Sequence, residues 1–338
     1  MILVTGGTGL IGSHLLLELV KSGHLVKAIY RTGESIKKVA KIFSYYGDQP
    51  HGLLKKITWV NADITDAHAV QNAMQGVEAV YHCAALISFD PSDYHRLVKN
   101  NIEGTAHVVN ACLTKKVNKL CYVSSIAAIG PSYSEATVDE HTEWNDSNAT
   151  VYGLSKYHAE MEVWRGAQEG LSTVIVNPGV VLGPGFWKSG SGTFFHYASK
   201  GHRKTLPGGT GFISVVDVVK AMVNLMDSSI QGERFILVGE NHTYLQLLQK
   251  IAASLGVNAP QKTFPFYVVE LLWRVDWLRS TVLKKRRRLP KSVAKSLYYQ
   301  DFYDASKLKK TLRFEFSDLE ATIAFCSARF KEDCPELF

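Results

Sequence analysis

Cysteines are few in this sequence, and long hydrophobic runs are absent. The five cysteines are scattered over 338 residues and form no CxxC pair and no cluster with histidine, so neither a disulfide scaffold nor a metal site is expected. No stretch of 18 or more apolar residues occurs, which argues against a membrane-spanning helix. The first residues, MILVTGGTG, lack a basic segment and a signal-cleavage site. These absences together predict a cytoplasmic protein without a secretory signal.

Residues that keep a chain disordered are not in excess either. Charged residues make up 20% and hydrophobic residues 46% of the chain, so it can bury a large core. The counts of 26 glycines and 10 prolines exclude collagen-like and low-complexity architectures. At this length we expect one two-lobed, enzyme-sized unit or two domains.

Negative charge is scarce in one late segment. Between Lys262 and Arg313 there are 14 lysines and arginines but 4 acidic residues, a net of +10 that leaves −3 for the rest of the +7 chain. The excess peaks at Lys284–Arg288, which we interpret as a solvated basic helix face. The alternatives are patches for anionic substrates, phospholipid headgroups or nucleic acid. Interleaved stacking aromatics and nucleic-acid-binding motifs are missing, so no nucleic-acid partner is predicted.

An aliphatic and aromatic segment, Pro265–Leu283, precedes this basic run. We interpret it as a helix of the substrate-binding lobe. Peripheral membrane contact through Pro265–Arg288 is the alternative, because an apolar helix next to basic residues can lie on an anionic bilayer.

Short β-branched runs alternate with helical stretches in the first 240 or so residues. The predicted strands are Ile2–Thr5, Leu25–Tyr30, Ile57–Asn61, Ala79–Cys83, Leu120–Ser124, Thr173–Asn177 and Arg234–Val238. Helical patterns separate most of them, as at Ser13–Ser22, Ile102–Lys115 and Tyr152–Gln168. Apolar strands spaced by helices predict an α/β fold with a doubly wound, parallel Rossmann sheet. Ligands of such sheets bind at the carboxyl ends of the strands.

The pattern changes after Pro178. Residues 179–211 hold eleven glycines and prolines, and the chain reads mostly helical from Tyr244 onward. We therefore predict an NAD(P)-binding Rossmann domain at residues 1–178, to which residues 212–239 return. Residues 179–211 and 240–338 would form a smaller, mostly helical substrate-binding lobe.

A glycine-rich turn connects the first predicted strand to a leucine-rich helix. Its sequence is TGGTGLIG, with Gly6, Gly9 and Gly12 at the spacing of a dinucleotide-binding loop. The first glycine allows the tight turn, the second lets the backbone approach a diphosphate, and the third permits close packing. The helix N-terminus adds free N–H groups and partial positive charge. We assign Gly6, Thr8, Gly9, Leu10, Ile11 and Gly12 to the cofactor site.

The end of the second strand bears on the choice of cofactor. An acidic residue usually lies there when the ribose 2′-hydroxyl is free, but this chain has Arg31. A guanidinium suits a 2′-phosphate, so NADP(H) is favoured and NAD(H) is the alternative. Arg31 stacking on the adenine would be the simpler role. Asp63, after the third strand, is a candidate for the adenine amine or a turn-capping residue.

Three residues suggest proton-transfer chemistry. Tyr152 and Lys156 are four apart on a predicted helix and share one face. A phenol titrates near ~10 when unperturbed, and we expect a neighbouring ammonium and an oxidised nicotinamide to lower the pKa of Tyr152. Ser125 follows a predicted strand, at the sheet edge where the nicotinamide would lie, and its hydroxyl can polarise a substrate carbonyl.

The chain at this point resembles the extended short-chain dehydrogenase/reductase superfamily, also described as the NAD-dependent epimerase/dehydratase family. The matching strings are TGGTGLIG, Asp63-Ile64, HCAA at 82–85, NIEGT at 101–105, SSIAAIG at 124–130, YGLSK at 152–156, NPGVVLGPG at 177–185, FISVVDVVKAM at 212–222 and YDASKL at 303–308. The resemblance implies a catalytic trio of Ser125, Tyr152 and Lys156. It also implies cofactor contacts at the glycine loop and at Arg31, Asp63, Ile64, Ala84, Lys156 and Pro178. Asn101 matches a structural or relay asparagine of the family.

Departures from sister branches narrow the resemblance. Dehydratases of the family carry an Asp-Glu pair where this chain has Ile126-Ala127, and nucleotide-sugar enzymes place an arginine where it has Thr210. The dihydroflavonol-reductase-like branch shares the arginine after the second strand. The resemblance thus implies reduction of a small-molecule carbonyl substrate of fairly apolar character. The remaining alternatives are an NAD-dependent nucleotide-sugar epimerase and a non-catalytic cofactor-sensing protein.

Two further expectations concern the substrate lobe and the assembly. Aromatic residues of the lobe agree in kind with the walls of an apolar substrate site, but for any single one of them we expect filling of the lobe's core. They are Phe186, Trp187, Phe194, Phe195 and Phe212. A homodimer is the default expectation for the assembly.

Overall fold

A seven-stranded parallel sheet forms the centre of this protein. The computed structural model describes residues 1–47, 50–130, 137–146, 149–287 and 289–338. The strands in these ranges are β1 (Ile2–Thr5), β2 (Val26–Tyr30), β3 (Ile57–Asn61), β4 (Ala79–His82), β5 (Lys119–Val123), β6 (Thr173–Pro178), β7 (Val180–Leu182), β8 (Lys204–Thr205), β9 (Gly209–Ser214), β10 (Glu233–Leu237), β11 (Glu240–Thr243) and β12 (Lys262–Thr263). The central sheet has the order β10-β6-β5-β4-β1-β2-β3.

All seven predicted strands are present in this sheet, and their ends differ from the predicted ones by one residue at most. β6 is buried at every position, as expected for a parallel strand covered on both faces. The strand order reverses between β1 and β4, so a crevice for a ligand is expected at the carboxyl ends of these two strands. The predicted doubly wound Rossmann sheet is therefore confirmed.

Helices cover both faces of the sheet. They are α1 (Leu10–Lys21), α2 (Gly33–Ser44), α3 (Pro50–Leu54), α4 (Ala67–Ala73), α5 (Tyr94–Leu97), α6 (Gly104–Thr114), α7 (Val151–Gln168), α8 (Gly192–Ala198), α9 (Val215–Asp227), α10 (Tyr244–Leu255), α11 (Phe266–Val282), α12 (Lys291–Ser296), α13 (Ser306–Leu312) and α14 (Leu319–Asp333). Leucines and valines of α1 and α9 share one core with the sheet. Residues of α4, α6 and α7 form the other core. A π-helical stretch, Val98–Glu103, joins α5 to α6.

The smaller region is a mixture of sheet and helix. A three-stranded sheet in the order β11-β9-β7 packs with α8, α10 and α14 around a core that includes Phe195, Ile251 and Phe330. The sequence predicted a mostly helical lobe, and the helices after Tyr244 are present, but the strands β7, β9 and β11 were not foreseen. β9 (GTGFIS) and β11 (ENHT) contain glycine and polar residues that give little strand signal. Their pairing with each other stabilises them instead.

Candidate active site

The glycine loop lies between β1 and α1, at the carboxyl edge of the sheet. Gly6 has φ of +66°, and a Cβ there would lie 2.5 Å from the amide nitrogen of Ala84. A Cβ at Gly12 would lie 2.2 Å from the carbonyl oxygen of Gly6. Both positions therefore require glycine, because a Cβ would collide with neighbouring backbone where the loop packs against the first turn of α1.

Gly9 differs from these two, because the protein's own packing does not require it. Its φ of −89° is open to any residue, and a Cβ would make an ordinary contact of 3.4 Å with the carbonyl oxygen of Gly6. Close approach of a ligand to the backbone remains as the reason for a glycine here. This is the place where the diphosphate of a dinucleotide would pass.

The N-terminus of α1 adds donors to the loop. The helix begins at Leu10, and Gly9 offers no side chain to cap it. The first helical backbone bond runs from the amide of Ser13 to the carbonyl of Gly9, at 2.9 Å. The amides of Leu10, Ile11 and Gly12 precede that bond, so they are the helix's open donors. Open donors and partial positive charge fit a diphosphate.

Arg31 and Asp63 lie side by side at the ends of β2 and β3. The Nη1 of Arg31 is 3.9 Å from the Oδ2 of Asp63, and the Arg31 side chain is 70% exposed. The Oδ1 of Asp63 accepts a hydrogen bond of 2.9 Å from the amide of Thr65, which is the turn-capping role. The guanidinium is thus exposed at the carboxyl edge of the sheet, where an adenosine ribose lies in Rossmann folds.

The other predicted cofactor contacts fall into two groups. Ala84 contacts Gly6 at the crevice, and Pro178 ends β6 at the same edge. Ile64 is buried and would lie 2.8 Å from a Cβ placed on Gly104. Its side chain therefore packs between elements, which supports a structural role rather than direct contact with a ligand.

Ser125 and Tyr152 come together at the carboxyl end of β5. Ser125 directly follows the strand, and its Oγ accepts a bond of 3.1 Å from the amide of Ala127, which fixes its position. Tyr152 lies in the first turn of α7, whose N-cap Thr150 accepts from the amide of Gly153 at 3.0 Å. The Ser125 side chain lies near enough to the Tyr152 phenol to oppose the rise of the phenol's pKa. The two side chains predicted to hold one substrate carbonyl are therefore neighbours.

The pKa of Tyr152 differs from the predicted direction. Burial raises it to about 12, and the hydrogen bond from Ser125 opposes that rise. The expected lowering by a neighbouring ammonium is wrong for this state of the protein, because Lys156 donates its bonds elsewhere. Its Nζ donates to the Tyr122 hydroxyl at 2.5 Å and to the Val123 carbonyl at 2.9 Å. Burial lowers the pKa of Lys156 to about 7.

A buried row of polar side chains leads away from Lys156. Thr5, His82 and Tyr122 are cross-strand neighbours on β1, β4 and β5. His82 Nδ1 lies 2.6 Å from the Thr5 hydroxyl, and its Nε2 lies 2.9 Å from the Thr105 hydroxyl. The His82 ring also lies 5.4 Å from the Tyr122 ring. Burial lowers the pKa of His82 to about 3, so the ring is neutral and donates through one nitrogen only.

Sequence reasoning assigned no role to this row. A signal was present, since a polar residue stands near the end of three otherwise apolar strands. That signal becomes specific only when the register of the parallel strands is known. The row fixes the ring of Tyr122 and, through it, the position of the Lys156 ammonium.

Asn101 and Glu160 hold the surrounding elements. Asn101, in the π-helical stretch, bonds to both backbone groups of Leu86 and donates to the Ser155 hydroxyl at 2.9 Å. It therefore fastens the loop after β4 to α7. Glu160 is fully buried and accepts from Ser124 at 2.6 Å, Asn177 at 2.9 Å and Arg234 at 3.2 Å. Ser124 is thereby turned away from the crevice, and Ser125 alone of the pair faces Tyr152.

The lobe aromatics mostly fill a core. Trp187, Phe195 and Phe212 are buried together, and Phe194 stacks with Tyr244 against them. The expected filling of the lobe's core is therefore confirmed for these three, so they do not line a substrate site. The loop after β4 supplies an aromatic neighbour instead, since the Phe89 ring lies 5.5 Å from the Tyr152 ring.

Proteins of known name or structure are similar to this chain. The sequence model of the NAD dependent epimerase/dehydratase family matches residues 2–239. Sterol demethylase protein B of Methylococcus capsulatus is 29% identical over 265 residues, which cover 78% of this chain and 77% of that protein. A putative dihydroflavonol 4-reductase of Synechocystis is 28% identical over 333 residues, covering 95% and 92%. The crystal structure of gox2253 has a TM-score of 0.82 at 25% identity and 98% coverage of both chains.

Proposed function

This chain belongs to the NAD-dependent epimerase/dehydratase family, and from that premise we propose that it is an NADP(H)-dependent oxidoreductase. It would move a hydride between nicotinamide and a carbonyl or secondary alcohol of a small, fairly apolar substrate. The nearness of Ser125 to Tyr152, beside a glycine loop that fits a dinucleotide, is the observation that carries the proposal.

The proposed chemistry uses the protein's residues for the proton and for orientation. Bound reduced nicotinamide supplies the hydride to the carbonyl carbon. Tyr152, whose pKa near 12 keeps its proton at neutral pH, gives that proton to the substrate oxygen as negative charge develops there. The Ser125 hydroxyl orients the same oxygen and afterwards stabilises the phenolate. Lys156 lies one helical turn from Tyr152 on the same face of α7.

The chemistry of sister branches has less support in this chain. Ile126 and Ala127 occupy the turn after Ser125, so the carboxylates that a dehydratase uses for proton removal are missing from that turn. The two relatives described above are named for a dihydroflavonol and a sterol. Both names agree with an apolar carbonyl or alcohol substrate rather than a sugar nucleotide.

Arg31 supports the choice of NADP(H). Its exposed guanidinium can make paired hydrogen bonds to a 2′-phosphate. Asp63, 3.9 Å away, would pair with Arg31 when no phosphate is present and keep it oriented. NAD(H) is the alternative, and direct measurement of binding to both dinucleotides distinguishes the two.

The decisive experiment is a spectrophotometric assay of the purified protein. Loss of NADPH or NADH absorbance is followed with a panel of aliphatic and aromatic ketones and aldehydes. We expect turnover that falls roughly 100-fold or more in Tyr152→Phe. Tyr157→Phe is the matched control, because it removes a phenol from the next tyrosine of α7, which stacks on Trp144 instead.

Two results would contradict the proposal. Dinucleotide retained through purification, without net redox change on any carbonyl, would favour the epimerase. Dinucleotide binding without turnover, together with a cellular phenotype unaffected by Tyr152→Phe, would favour a cofactor-sensing protein.

A further inference from the structure

An outward-facing apolar stripe runs along α11. Tyr267, Leu271, Val275, Leu278 and Val282 follow one another at spacings of four, four, three and four, so they lie on one face of the helix. They are 54% to 74% exposed. The stripe extends for about 23 Å at the rise of an α-helix.

The opposite face of α11 is the one that packs on the protein. Val269 joins a small core with Ala294 and Leu297 of the α12 region. Asp276 also lies on this inner face, where it accepts from the Leu289 amide at 3.0 Å and from Arg279 at 2.7 Å. An aspartate inside and leucines outside invert the pattern of a water-exposed helix. Contiguous exposed apolar surface of this kind marks an interaction site.

The charge next to the stripe indicates what covers it. Lys284, Lys285 and Arg286 follow the end of α11 and are exposed, and Arg274 is exposed on the helix itself. They belong to the segment from Lys262 to Arg313 with its net charge of +10; Arg288 of the same run lies outside the described residues. Two copies of such a surface would repel each other, whereas an anionic surface would attract it.

A bilayer of anionic phospholipids has both required properties. Basic residues at its surface gain electrostatic attraction, while an apolar helix face enters the interfacial region. In the described part of the chain, no helix is both long and apolar enough to cross a membrane. α11 also carries Glu270 and Arg279, so it can lie in the interface plane but would not suit the hydrocarbon core.

We propose that α11 and the basic turn after it dock this protein on the surface of an anionic phospholipid bilayer. The same turn is tied to the candidate active site. Arg286 forms an ion pair with Asp93, and the amide of Arg287 donates to Asp90 at 3.0 Å. Asp90 directly follows Phe89, the ring neighbour of Tyr152, and Asp93 lies three residues further along the chain.

Docking at this place would also favour a particular class of substrate, and this part of the proposal rests on the proposed function. Phe89 is 43% exposed and Ile87, two residues earlier, is 60% exposed. The loop that the basic turn holds therefore exposes two apolar side chains, and one of them, Phe89, is the ring neighbour of Tyr152. A docked protein would take an apolar, membrane-dissolved carbonyl compound from the bilayer across this loop.

Vesicle co-sedimentation of the full chain tests the docking. The probes are vesicles of phosphatidylcholine alone and of phosphatidylcholine with about a third phosphatidylglycerol. We expect at least roughly 10-fold tighter binding to the anionic vesicles and a loss of binding as salt is raised. Leu271→Glu with Leu278→Glu should weaken binding by roughly 100-fold. Leu25→Glu is the matched control, because Leu25 is 70% exposed and directly precedes β2 of the central sheet rather than lying on α11.

The basic turn has its own variant and the helix its own optical signal. Lys284→Glu with Lys285→Glu should abolish the preference for anionic vesicles. Trp277 of α11 is 47% exposed, so its emission should shift to shorter wavelength on binding, and Trp277→Phe should remove that shift. Unchanged circular dichroism and unchanged turnover of a water-soluble carbonyl would verify that the variants fold.

Three results would overturn the docking proposal. The first is absence of binding to both vesicle types, and the second is equal binding to neutral and anionic vesicles. The third is that the protein self-associates in solution and that Leu271→Glu with Leu278→Glu abolishes this self-association but does not change vesicle binding. Failure of the proposed function is a separate result. It would appear as intact vesicle binding without turnover of any carbonyl.

Discussion

Replacing Lys156 with methionine should make the protein more stable at neutral and acidic pH while removing its activity. The lysine is 1% exposed, and burial lowers its pKa to about 7 from an ordinary value of 10.5. An ammonium in this position is therefore less stable in the folded than in the unfolded chain. The proposed function accounts for that cost, because it assigns Lys156 to the active site.

The magnitude follows from the pKa difference and its sign. Below pH 7 both states bind the proton, so the full cost of burying the charge is present. Above pH 7 the folded state releases the proton first, so stability rises with pH until the unfolded lysine also titrates. One pKa unit corresponds to about 1.4 kcal/mol, so the fall of the pKa from 10.5 to about 7 amounts to about 5 kcal/mol at low pH. Between pH 6 and pH 9 the wild type should gain about 3 kcal/mol relative to Lys156→Met.

Urea unfolding of both proteins without added dinucleotide, at pH 6, 7.5 and 9, measures this difference. Methionine also removes the donor to Tyr122 and Val123, which offsets part of the stabilisation by about 1–3 kcal/mol at every pH. The test therefore depends on the change with pH and not on the absolute difference. Lys310→Met, at an exposed lysine, controls for replacing a lysine by methionine. A difference that stays constant from pH 6 to pH 9, or one that changes in the opposite direction, would refute the reasoning.

Three further changes test other parts of the site. Tyr122→Phe keeps the ring beneath the Lys156 ammonium, 4.3 Å away, but removes the closest hydrogen-bond acceptor of that ammonium. We expect kcat to fall roughly 10-fold and its pH profile to shift. A pH profile identical to that of the wild type would show that the Tyr122 hydroxyl does not position the lysine. Arg31→Ser should raise the KM for NADPH roughly 10- to 100-fold and leave the KM for NADH nearly unchanged. An equal rise of both KM values would assign Arg31 to adenine stacking. Gly6→Ala should lower the free energy of unfolding by about 2–4 kcal/mol in thermal or urea unfolding, because φ is +66° and the added Cβ meets the backbone at Ala84. Gly52→Ala, at a glycine with no neighbour within 4 Å of an added Cβ, should stay near wild type.

Local sequence signals predicted most of the sheet and the parts of the site that depend on it. Strands such as Thr173–Pro178 are continuous apolar runs, and the turn from Thr5 to Gly12 has glycines where the backbone requires them. Ser125 and Tyr152 were placed together because both follow from where a strand ends and a helix begins. These inferences need only short stretches of chain, whose conformations are set mainly by neighbouring residues.

Features that depend on which elements pack together were missed or misjudged. The strands β9 and β11 are stabilised by pairing with each other, and Trp187 is buried because helices from the end of the chain cover it. The pKa of Tyr152 was predicted in the wrong direction, and the pKa of Lys156 was not predicted. The reason is that desolvation depends on every atom around a group.

The sequence by itself determined the Rossmann sheet, the glycine loop and the spacing of Tyr152 and Lys156 on one helix face. Tertiary structure alone decided that Lys156 donates to Tyr122, and that the apolar stripe of α11 faces away from the protein. The reason is physical. Helix and strand periodicity fix which side chains share a face, but the long-range packing of distant segments decides which face is buried and which group each buried charge meets.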